Sequence, residues 1–304
     1  MIDYQIQTTA SDGKFTPREC VKMARENGLR SIAITDHDTV AGVEEGLKAG
    51  EEFGVEVIPG IELSCSYQDR MIHVLGFGID YQNAKLLLRL HEAKEYRKSR
   101  ARRIVERLSE FGFSVDYEKV KARAEGVVTR PHIAAEVMEN PENAERLGKE
   151  EIRTKRDFLD KYIGEGGKVP VPPEQLSPQD AIEMVHSAGG VAVWSHPTWP
   201  SSNKDFIWIE ETLRVFISWG LDGIEVLLHG TESEVVFLHN LAGKYAMVKT
   251  AGSDFHDVYE DPETRVTCKV GGYPTYGYTI AGIRESLLAA IEKRKSAVAS
   301  LSSS

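Results

Sequence analysis

A repeated order of short apolar runs and amphipathic segments is the feature of this sequence that most limits its fold. The runs are rich in β-branched and aromatic residues, which predicts strands, and most are followed by a stretch with helical periodicity. They lie at residues 2–6, 30–35, 55–59, 71–78, 191–194, 223–227 and 247–250. Such alternation is typical of α/β proteins with parallel strands, so we expect a barrel-like α/β core.

Recognisable start signals mark two of the intervening helices. Thr16 precedes Pro17, and Ser177 precedes Pro178. A hydroxyl side chain caps the first helical turn, and proline fits the first helical position because it lacks the N–H group that would be left unpaired there. The periodicity predicts further helices at residues 43–53, 206–219, 233–244 and 280–294, whereas residues 253–277 are expected to be irregular.

A long charged segment interrupts the alternation. Residues 83–162 have an almost continuous helical pattern, and residues 164–173 (GEGGKVPVPP) contain the glycines and prolines expected of a linker. We therefore predict two domains: a discontinuous barrel, formed by residues 1–82 and 168–304, and a helical insertion at residues 83–167.

The composition excludes several classes of protein. No apolar stretch approaches the roughly 18 residues of a membrane helix, and the N-terminal residues lack the pattern of a signal peptide. The three cysteines are odd in number and have no Cys-x-x-Cys spacing, which favours reduced thiols in a cytoplasmic protein. A net charge of −10 argues against non-specific coating of nucleic acid. Nothing in the sequence indicates a stable protein partner.

Histidine and carboxylate residues recur where the predicted strands end. Because the C-terminal ends of parallel strands meet at one mouth of a barrel, we expect these side chains to converge. Any one of them alone could be structural, and Asp36 or Asp38 could simply cap the next helix. The chain has only nine histidines, so the occurrence of histidine or carboxylate residues at so many strand ends is not expected by chance. The residues are Asp12, Asp36, His37, Asp38, Glu62, His73, His196, Glu225, Asp254 and His256.

This mixture of ligand types predicts a metal centre. Imidazole and carboxylate together suit Mn²⁺, Fe²⁺ or Zn²⁺ better than Ca²⁺ or a thiolate-bound structural zinc. Several converging groups imply more than one ion, and two ions about 3.5–4 Å apart can hold a phosphoryl group and supply hydroxide near neutral pH. We therefore expect two or three divalent transition-metal ions per chain.

The ordered motifs resemble those of the PHP (polymerase and histidinol phosphatase) superfamily. They are TDHD at 35–38, GIELS at 60–64, HVLG at 73–76, His196-Pro197 and GSDFH at 252–256. Arg130-Pro131-His132 within a helical insertion is similar to the branch of bacterial nucleotide phosphoesterases. The resemblance implies a distorted (β/α)7 TIM-like barrel. It also implies hydrolysis of AMP, nucleoside bisphosphates or the 5′ end of short RNA.

The opening motif departs from the family pattern. The pattern there is Asp-Leu-His-x-His, whereas residues 3–7 read Asp-Tyr-Gln-Ile-Gln. The resemblance assigns one metal to these two positions together with Glu62 and Asp254, so Gln5 and Gln7 replace both nitrogen ligands. An amide oxygen is a weaker ligand for such ions than a neutral imidazole.

The other ligand sets that the resemblance implies are complete. One set is Glu62, His73 and His196, and the other is Asp12, His37 and His256. The catalytic residues implied are Asp12, His37, Glu62 and Asp254.

Three functions remain open. The leading one is an active phosphoesterase. The second is a PHP-fold protein that binds metal or nucleotide with weak or no hydrolysis, which Gln5 and Gln7 favour. Amidohydrolase-type C–N hydrolysis is less well supported, because the His-x-His motif and a candidate carbamylated lysine are missing.

Basic residues of the insertion are the candidate contacts of the substrate. Residues 94–107 (KEYRKSRARRIVER) are strongly basic, and Arg97, Arg100 and Arg107 are spaced so that one helix face could present several guanidinium groups to a phosphate. The same pattern is common on solvated helices. The resemblance places Arg130 and His132 at the substrate phosphate, where a guanidinium can bind in bidentate fashion. His186, His229 and His239 are expected to be structural.

Overall fold

The computed structural model describes residues 1–124, 128–164, 166–169, 171, 176–199, 205–260 and 267–302. Seven strands form one sheet in chain order. They are β1 (Ile2–Asp3), β2 (Ser31–Ile34), β3 (Glu56–Tyr67), β4 (Arg70–Phe77), β5 (Val191–Trp194), β6 (Gly223–Leu227) and β7 (Val248–Ala251). Within the stretch expected to be irregular, β8 (Tyr259–Glu260) pairs with β9 (Thr267–Cys268).

The sheet curves almost into a closed barrel, because the chain that follows β1 pairs with the chain that follows β7. The backbone N–H of Tyr4 donates to the carbonyl of Ala251 at 2.9 Å, and that of Gln7 donates to Phe255 at 2.8 Å. Ile6 and Phe255 also form a parallel bridge. The predicted seven-stranded α/β barrel is confirmed.

One strand runs against the others, so the expectation of a wholly parallel core was wrong at β4. This strand is antiparallel to both β3 and β5, whereas the other neighbouring strands pair in parallel. Gln68 and Asp69, with φ of 49° and 62°, join β3 to β4 in a two-residue hairpin turn. The reversal places the beginning of β4 at the barrel end where the parallel strands finish, and His73 is there for that reason.

Eleven α-helices are present in the described ranges. Thr16 caps the first of them and forms a capping box with Glu19, as predicted. Among the described residues, no helix is long and apolar enough to cross a membrane. The helices are α1 (Pro17–Glu26), α2 (Val43–Phe53), α3 (Ala84–Glu110), α4 (Tyr117–Ala122), α5 (Arg130–Glu139), α6 (Ala144–Lys149), α7 (Lys155–Phe158), α8 (Pro178–Ser187), α9 (Phe206–Ser218), α10 (Glu232–Lys244) and α11 (Ile283–Ser302).

The segment expected to be an insertion has a hydrophobic cluster of its own. Its buried members come from α3 to α7 and the chain that follows, with Phe113, Phe158 and Tyr162 packing as an aromatic group. The residues of the barrel form separate clusters, one of which also includes Leu86 and Leu90 from the beginning of α3. This separation supports a helical domain, while the boundaries at 83 and 167 stay a prediction. The predicted linker lies partly outside the described residues.

Candidate metal centre

Pairing between β2 and β3 continues past the end of β2 and brings His37 beside Glu62. The two residues form a parallel bridge, and the N–H of Asp38 donates to the carbonyl of Glu62 at 2.8 Å. His37 Nδ1 lies 3.7 Å from Glu62 Oε2. On the other side, His73 Nδ1 lies 2.8 Å from Glu62 Oε1. The fully buried carboxylate of Glu62 is therefore flanked by two imidazoles.

His196 completes this group from the loop that follows β5. Its Nε2 atom is 3.1 Å from Glu62 Oε1 and 3.1 Å from His73 Nδ1. The structure thus brings together Glu62, His73 and His196, the set that the resemblance implied. It also adds His37, since ligand atoms of His37, Glu62 and His73 all lie within 4.8 Å of one another.

A second group of ligand atoms shares His37. One atom each from Asp12, His37 and His256 lies within 4.8 Å of the others. His256 Nε2 is 3.5 Å from Asp12 Oδ1, and its Nδ1 is 3.8 Å from Asp254 Oδ1. The side chain of Asp254 is 42% exposed, so it is accessible at the rim of the centre.

Asp36 holds the loop that carries Asp12. Its carboxylate accepts hydrogen bonds from the N–H of Thr8 and the hydroxyl of Ser11, both at 2.7 Å. The helix that follows has Gly42 at its N-cap and no capping side chain. The suggestion that Asp36 or Asp38 caps this helix was therefore wrong.

Asp38 makes two contacts that fix the position of its loop. Its Oδ1 accepts from the N–H of Ser64 at 3.0 Å, and its Oδ2 lies 2.7 Å from a guanidinium nitrogen of Arg97 on α3. Both partners of this ion pair are buried. The loop between β2 and α2 is thus attached to the helical segment as well as to β3.

Gln5 and Gln7 both face Glu62, as expected for alternate residues of an extended chain. Gln5 Nε2 donates to Glu62 Oε1 at 3.1 Å and to Ser195 Oγ at 2.9 Å. Gln7 Nε2 donates to Glu62 Oε2. The two amides therefore act as hydrogen-bond donors to the carboxylate.

Unpaired buried atoms provide a test of whether metal ions fit. Among the described residues, Asp12 Oδ1, His37 Nδ1 and Asp254 Oδ1 are buried without a hydrogen-bond partner. Buried polar atoms are normally paired, so these atoms need another partner. They are imidazole nitrogen and carboxylate oxygen, the atoms that bind divalent transition metals. The residues present therefore fit such ions.

The electrostatics of the centre favour positive charge. Burial opposes ionisation of Glu62, yet His37 and His73 hold its pKa well below the usual range. Burial lowers the pKa of His196 and His256, but neighbouring carboxylates outweigh it and raise both to about 9. Those carboxylates are chiefly Glu62 for His196, and Asp254 and Asp12 for His256. Metal ions would replace the protons that this field attracts, because binding requires neutral imidazole.

Three residues of the centre have unusual backbone conformations. Asp38, His196 and Asp254 have φ of 51°, 28° and 49°. For residues other than glycine, such strain costs on the order of 1–3 kcal/mol each and is concentrated at functional sites. The surrounding structure therefore holds these three residues in strained conformations.

Arg130 and His132, the candidate contacts of the substrate phosphate, both have partners within the protein. The Arg130 guanidinium lies 3.3 Å from the carbonyl of Ile163 and 2.7 Å from Met71 Sδ. His132 Nδ1 accepts from the N–H of Thr129 at 3.1 Å. Burial lowers the pKa of His132, and the negative charge of Asp12 opposes this shift without overcoming it.

One of the arginines noted on the basic helix contacts the candidate metal centre. Arg97 and Arg100 are both buried on α3, and Arg97 contacts the loop between β2 and α2 through Asp38.

Two further residues at the centre, Ser195 and Trp199, received no role from the sequence. Glu225 was expected among the converging residues, and it lies beside His196. Glu225 is buried, its Oε2 accepts from the N–H of His196 at 2.9 Å, and burial raises the pKa of its carboxyl well above the usual range. The signal that was available for Ser195 and Trp199 is their closeness in sequence to His196-Pro197.

Two histidines expected to be structural have partners of their own. His186 Nε2 lies 2.8 Å from Asp222 Oδ2, and His239 stacks on Tyr278 with ring centroids 3.9 Å apart.

Comparison with known proteins agrees with this geometry. The model of the PHP domain matches residues 3–168. The chain is 33% identical over 255 residues to a 5′-3′ exoribonuclease of Haemophilus influenzae, covering 84% of this chain and 89% of that protein. It is 28% identical over 260 residues to a 3′,5′-nucleoside bisphosphate phosphatase of Chromobacterium violaceum, covering 84% and 87%.

Solved structures share the fold over nearly the whole chain. A Bifidobacterium adolescentis protein assigned as a metal-dependent phosphoesterase is 29% identical, with a TM-score of 0.78 and coverage of 95% and 96%. An amidohydrolase from Chromobacterium violaceum, solved with bound sulfate and no metal, is 25% identical, with a TM-score of 0.79 and 96% of each chain covered. With its ordered motifs and converging ligands, this chain belongs to the PHP domain family.

Proposed function

We propose that this chain is a divalent-metal-dependent phosphoesterase that acts on small nucleotides (AMP or nucleoside bisphosphates) or on the 5′ end of short RNA. The observation that carries the proposal is the pair of three-residue ligand groups joined through His37. The names of the exoribonuclease and the bisphosphate phosphatase support a nucleotide or RNA substrate and favour phosphate esters over C–N bonds. The cytoplasmic location stays a prediction.

We assign the metal ligands by proximity. Glu62, His73 and His196 would hold one ion, and Asp12, His37 and His256 another, with Mn²⁺, Fe²⁺ or Zn²⁺ as candidates. Bound ions of this kind polarise a phosphoryl oxygen and supply hydroxide near neutral pH.

The remaining roles belong to side chains around these ligands. We assign Asp254, which is accessible beside His256, to hold the attacking water by a hydrogen bond. Arg130 and His132 on α5 would bind and orient the substrate phosphate. A role for Arg100 at the phosphate stays a prediction, since this residue is buried on α3.

The test combines metal analysis with phosphate release. The purified protein is assayed with AMP, adenosine 3′,5′-bisphosphate and a 5′-phosphorylated oligoribonucleotide, each with Mn²⁺ and with EDTA. We expect release from at least one substrate, loss of release with EDTA and recovery with Mn²⁺. Metal binding without release from any substrate would instead support the second candidate, a binding protein. The hydrogen bonds from Gln5 and Gln7 to Glu62 are the observation that favours it.

The metal content should be about two transition-metal ions per chain. Two ligand groups are complete, whereas the group containing Gln5 and Gln7 lacks both imidazoles. Elemental analysis after expression with added manganese measures this number. Protein with no bound metal under these conditions would contradict the assignment.

The double variant Gln5→His, Gln7→His should bind one more metal ion and release phosphate on the order of tenfold faster, a change of about 1.4 kcal/mol in the barrier. Both positions already face Glu62, and imidazole nitrogens are stronger ligands than amide oxygens. Metal content and phosphate release are measured together. Gln82→His, which places the same side chain at an exposed position, is the control. Unchanged metal content in the double variant would mean that no third site exists there.

A further inference from the structure

A cleft rich in tryptophan opens beside the two histidines that contact Glu62. Its lining includes His73 and His196 themselves and runs outward to the hairpin of β3 and β4 and to α9. The other residues that matter for its chemistry are Arg70, Met71, Trp194, Trp199 and Trp208. The centre described above uses none of these five side chains as a ligand.

Trp199 forms the outer edge of this cleft. Its side chain is 49% exposed, although the indole is the largest apolar side chain a protein has. The ring lies 5.3 Å from the ring of His196, and the N–H of Trp199 donates to the carbonyl of His196 at 3.0 Å. Isolated exposed apolar residues are ordinary, but this one is fixed by the loop that carries a candidate metal ligand.

The opposite wall of the cleft carries the ring of Trp208 and the oppositely charged side chains of Arg70 and Asp205. Trp208 Nε1 donates to Gln68 Oε1 at 2.9 Å. The guanidinium of Arg70 lies over the Trp208 ring, 4.0 Å from its centroid.

The size of the cleft limits how a ligand could use it. The cleft has a volume of about 20 Å³, which suits about one water molecule. A planar ring does not fit inside. It would lie across the open mouth of the cleft, against the exposed face of Trp199.

The cleft adjoins the candidate phosphate site. Met71 lines the cleft, and its sulfur lies 2.7 Å from a guanidinium nitrogen of Arg130. A phosphate held between Arg130 and the ligands of the metal centre would therefore have the cleft immediately beside it. Whatever group is attached to that phosphate can extend toward Trp199.

We propose that Trp199 stacks on the nucleobase of the nucleotide that carries the scissile phosphate, and so determines the preference for substrates with a base. Every nucleobase has a π-face, so stacking of this kind tolerates different bases. Trp199 would be a specificity residue, without contact to the reacting atoms. The inference rests on the proposed phosphoesterase function.

The test compares two ligands that are not hydrolysed. One is an adenosine phosphonate with CH₂ in place of the ester oxygen, and the other is the corresponding ribose phosphonate without a base. Affinities are measured with the Mn²⁺-loaded protein by calorimetry and by quenching of tryptophan fluorescence. The variants are Trp199→Ala and Trp199→Phe. Ile207→Ala on α9, which removes a 73% exposed apolar side chain that does not line the cleft, is the matched control.

We expect the adenosine compound to bind more tightly than the ribose compound and to quench fluorescence. Trp199→Ala should reduce this preference about tenfold, as expected for one stacked base. Trp199→Phe should keep much of the preference and lose most of the quenching. Ile207→Ala should behave as the parent does. Equal affinities of the parent for the two compounds, or a preference that Trp199→Ala leaves intact, would overturn the inference, and so would failure to bind either compound.

A parallel assay of phosphate release separates this inference from the function on which it rests. Base preference that depends on Trp199, without phosphate release from any nucleotide, would refute the phosphoesterase function and leave the stacking site standing. Phosphate release with no base preference would support the phosphoesterase function and refute the stacking site.

Discussion

Glu62→Gln should lower phosphate release at least about 1,000-fold, equivalent to roughly 4 kcal/mol of transition-state stabilisation. Glu62 is fully buried, and His37, His73 and His196 all have a ring nitrogen within 4 Å of its carboxylate. Glutamine keeps the shape but removes the negative charge and replaces one of the two ligand oxygens by an NH2 group, which cannot bind a metal ion. Bound metal should fall with activity, and the two are measured on the same preparation by elemental analysis and phosphate release.

Glu56→Gln is the matched control, because it makes the same change at the other end of β3. Glu56 pairs with Arg284 at 2.6 Å, with both side chains about one-third exposed. An ion pair this accessible contributes about 0–1 kcal/mol to stability, so we expect normal metal content and activity. Circular dichroism and thermal unfolding establish that both variants are folded. A folded Glu62→Gln protein with full metal content and activity would show that the centre lies elsewhere.

Arg130→Ala should weaken nucleotide binding by about 1.5–3 kcal/mol, or roughly 10- to 150-fold, because it removes a charge-assisted and bidentate phosphate contact. Metal content should not change, since Arg130 contacts Met71 Sδ and the carbonyl of Ile163, neither of which belongs to an assigned ligand. Calorimetric titration with the adenosine phosphonate gives the affinity, and elemental analysis gives the metal content.

Two further variants separate a local contact from a general effect of charge. Arg130→Lys keeps the charge without the planar fork and should recover only part of the affinity. Arg107→Ala removes a charge from an exposed position on α3 and should leave binding unchanged. Equal losses in Arg107→Ala and Arg130→Ala would indicate long-range electrostatics. Unaltered binding in Arg130→Ala would return this residue to a structural role.

The sequence indicated where the candidate ligands lie in the barrel, but it did not indicate the direction of every strand. His37, Glu62 and His196 were expected at one barrel end because each follows or ends an apolar run. Apolar periodicity carries no information on direction, and the hairpin residues Gln68 and Asp69 lack the Asn-Gly or Asp-Gly signature of a two-residue turn. The antiparallel β4 was therefore missed, although His73 was still chosen correctly as a neighbour of Glu62.

Side-chain partners were the least predictable part. Alternation along the extended chain indicated that Gln5 and Gln7 share a face, but it did not show that their amides donate to Glu62. The exposed indole of Trp199 was not foreseen either, since tryptophan is highly buried on average in folded proteins. Contacts between segments distant in sequence decide both cases, and a single sequence does not contain them.

The buried ion pair between Arg97 and Asp38 limits how this enzyme could be recombined with its relatives. A helical segment exchanged as a unit would leave Asp38 as an unpaired buried carboxylate unless the donor segment supplied a cation opposite it, a defect that costs about 3–5 kcal/mol. Because His37 precedes Asp38 in this loop, a displacement of the loop would also move the His37 imidazole. A stable chimaera must therefore exchange α3 and the loop after β2 together. These two segments are distant in sequence, but they have to be compatible with each other.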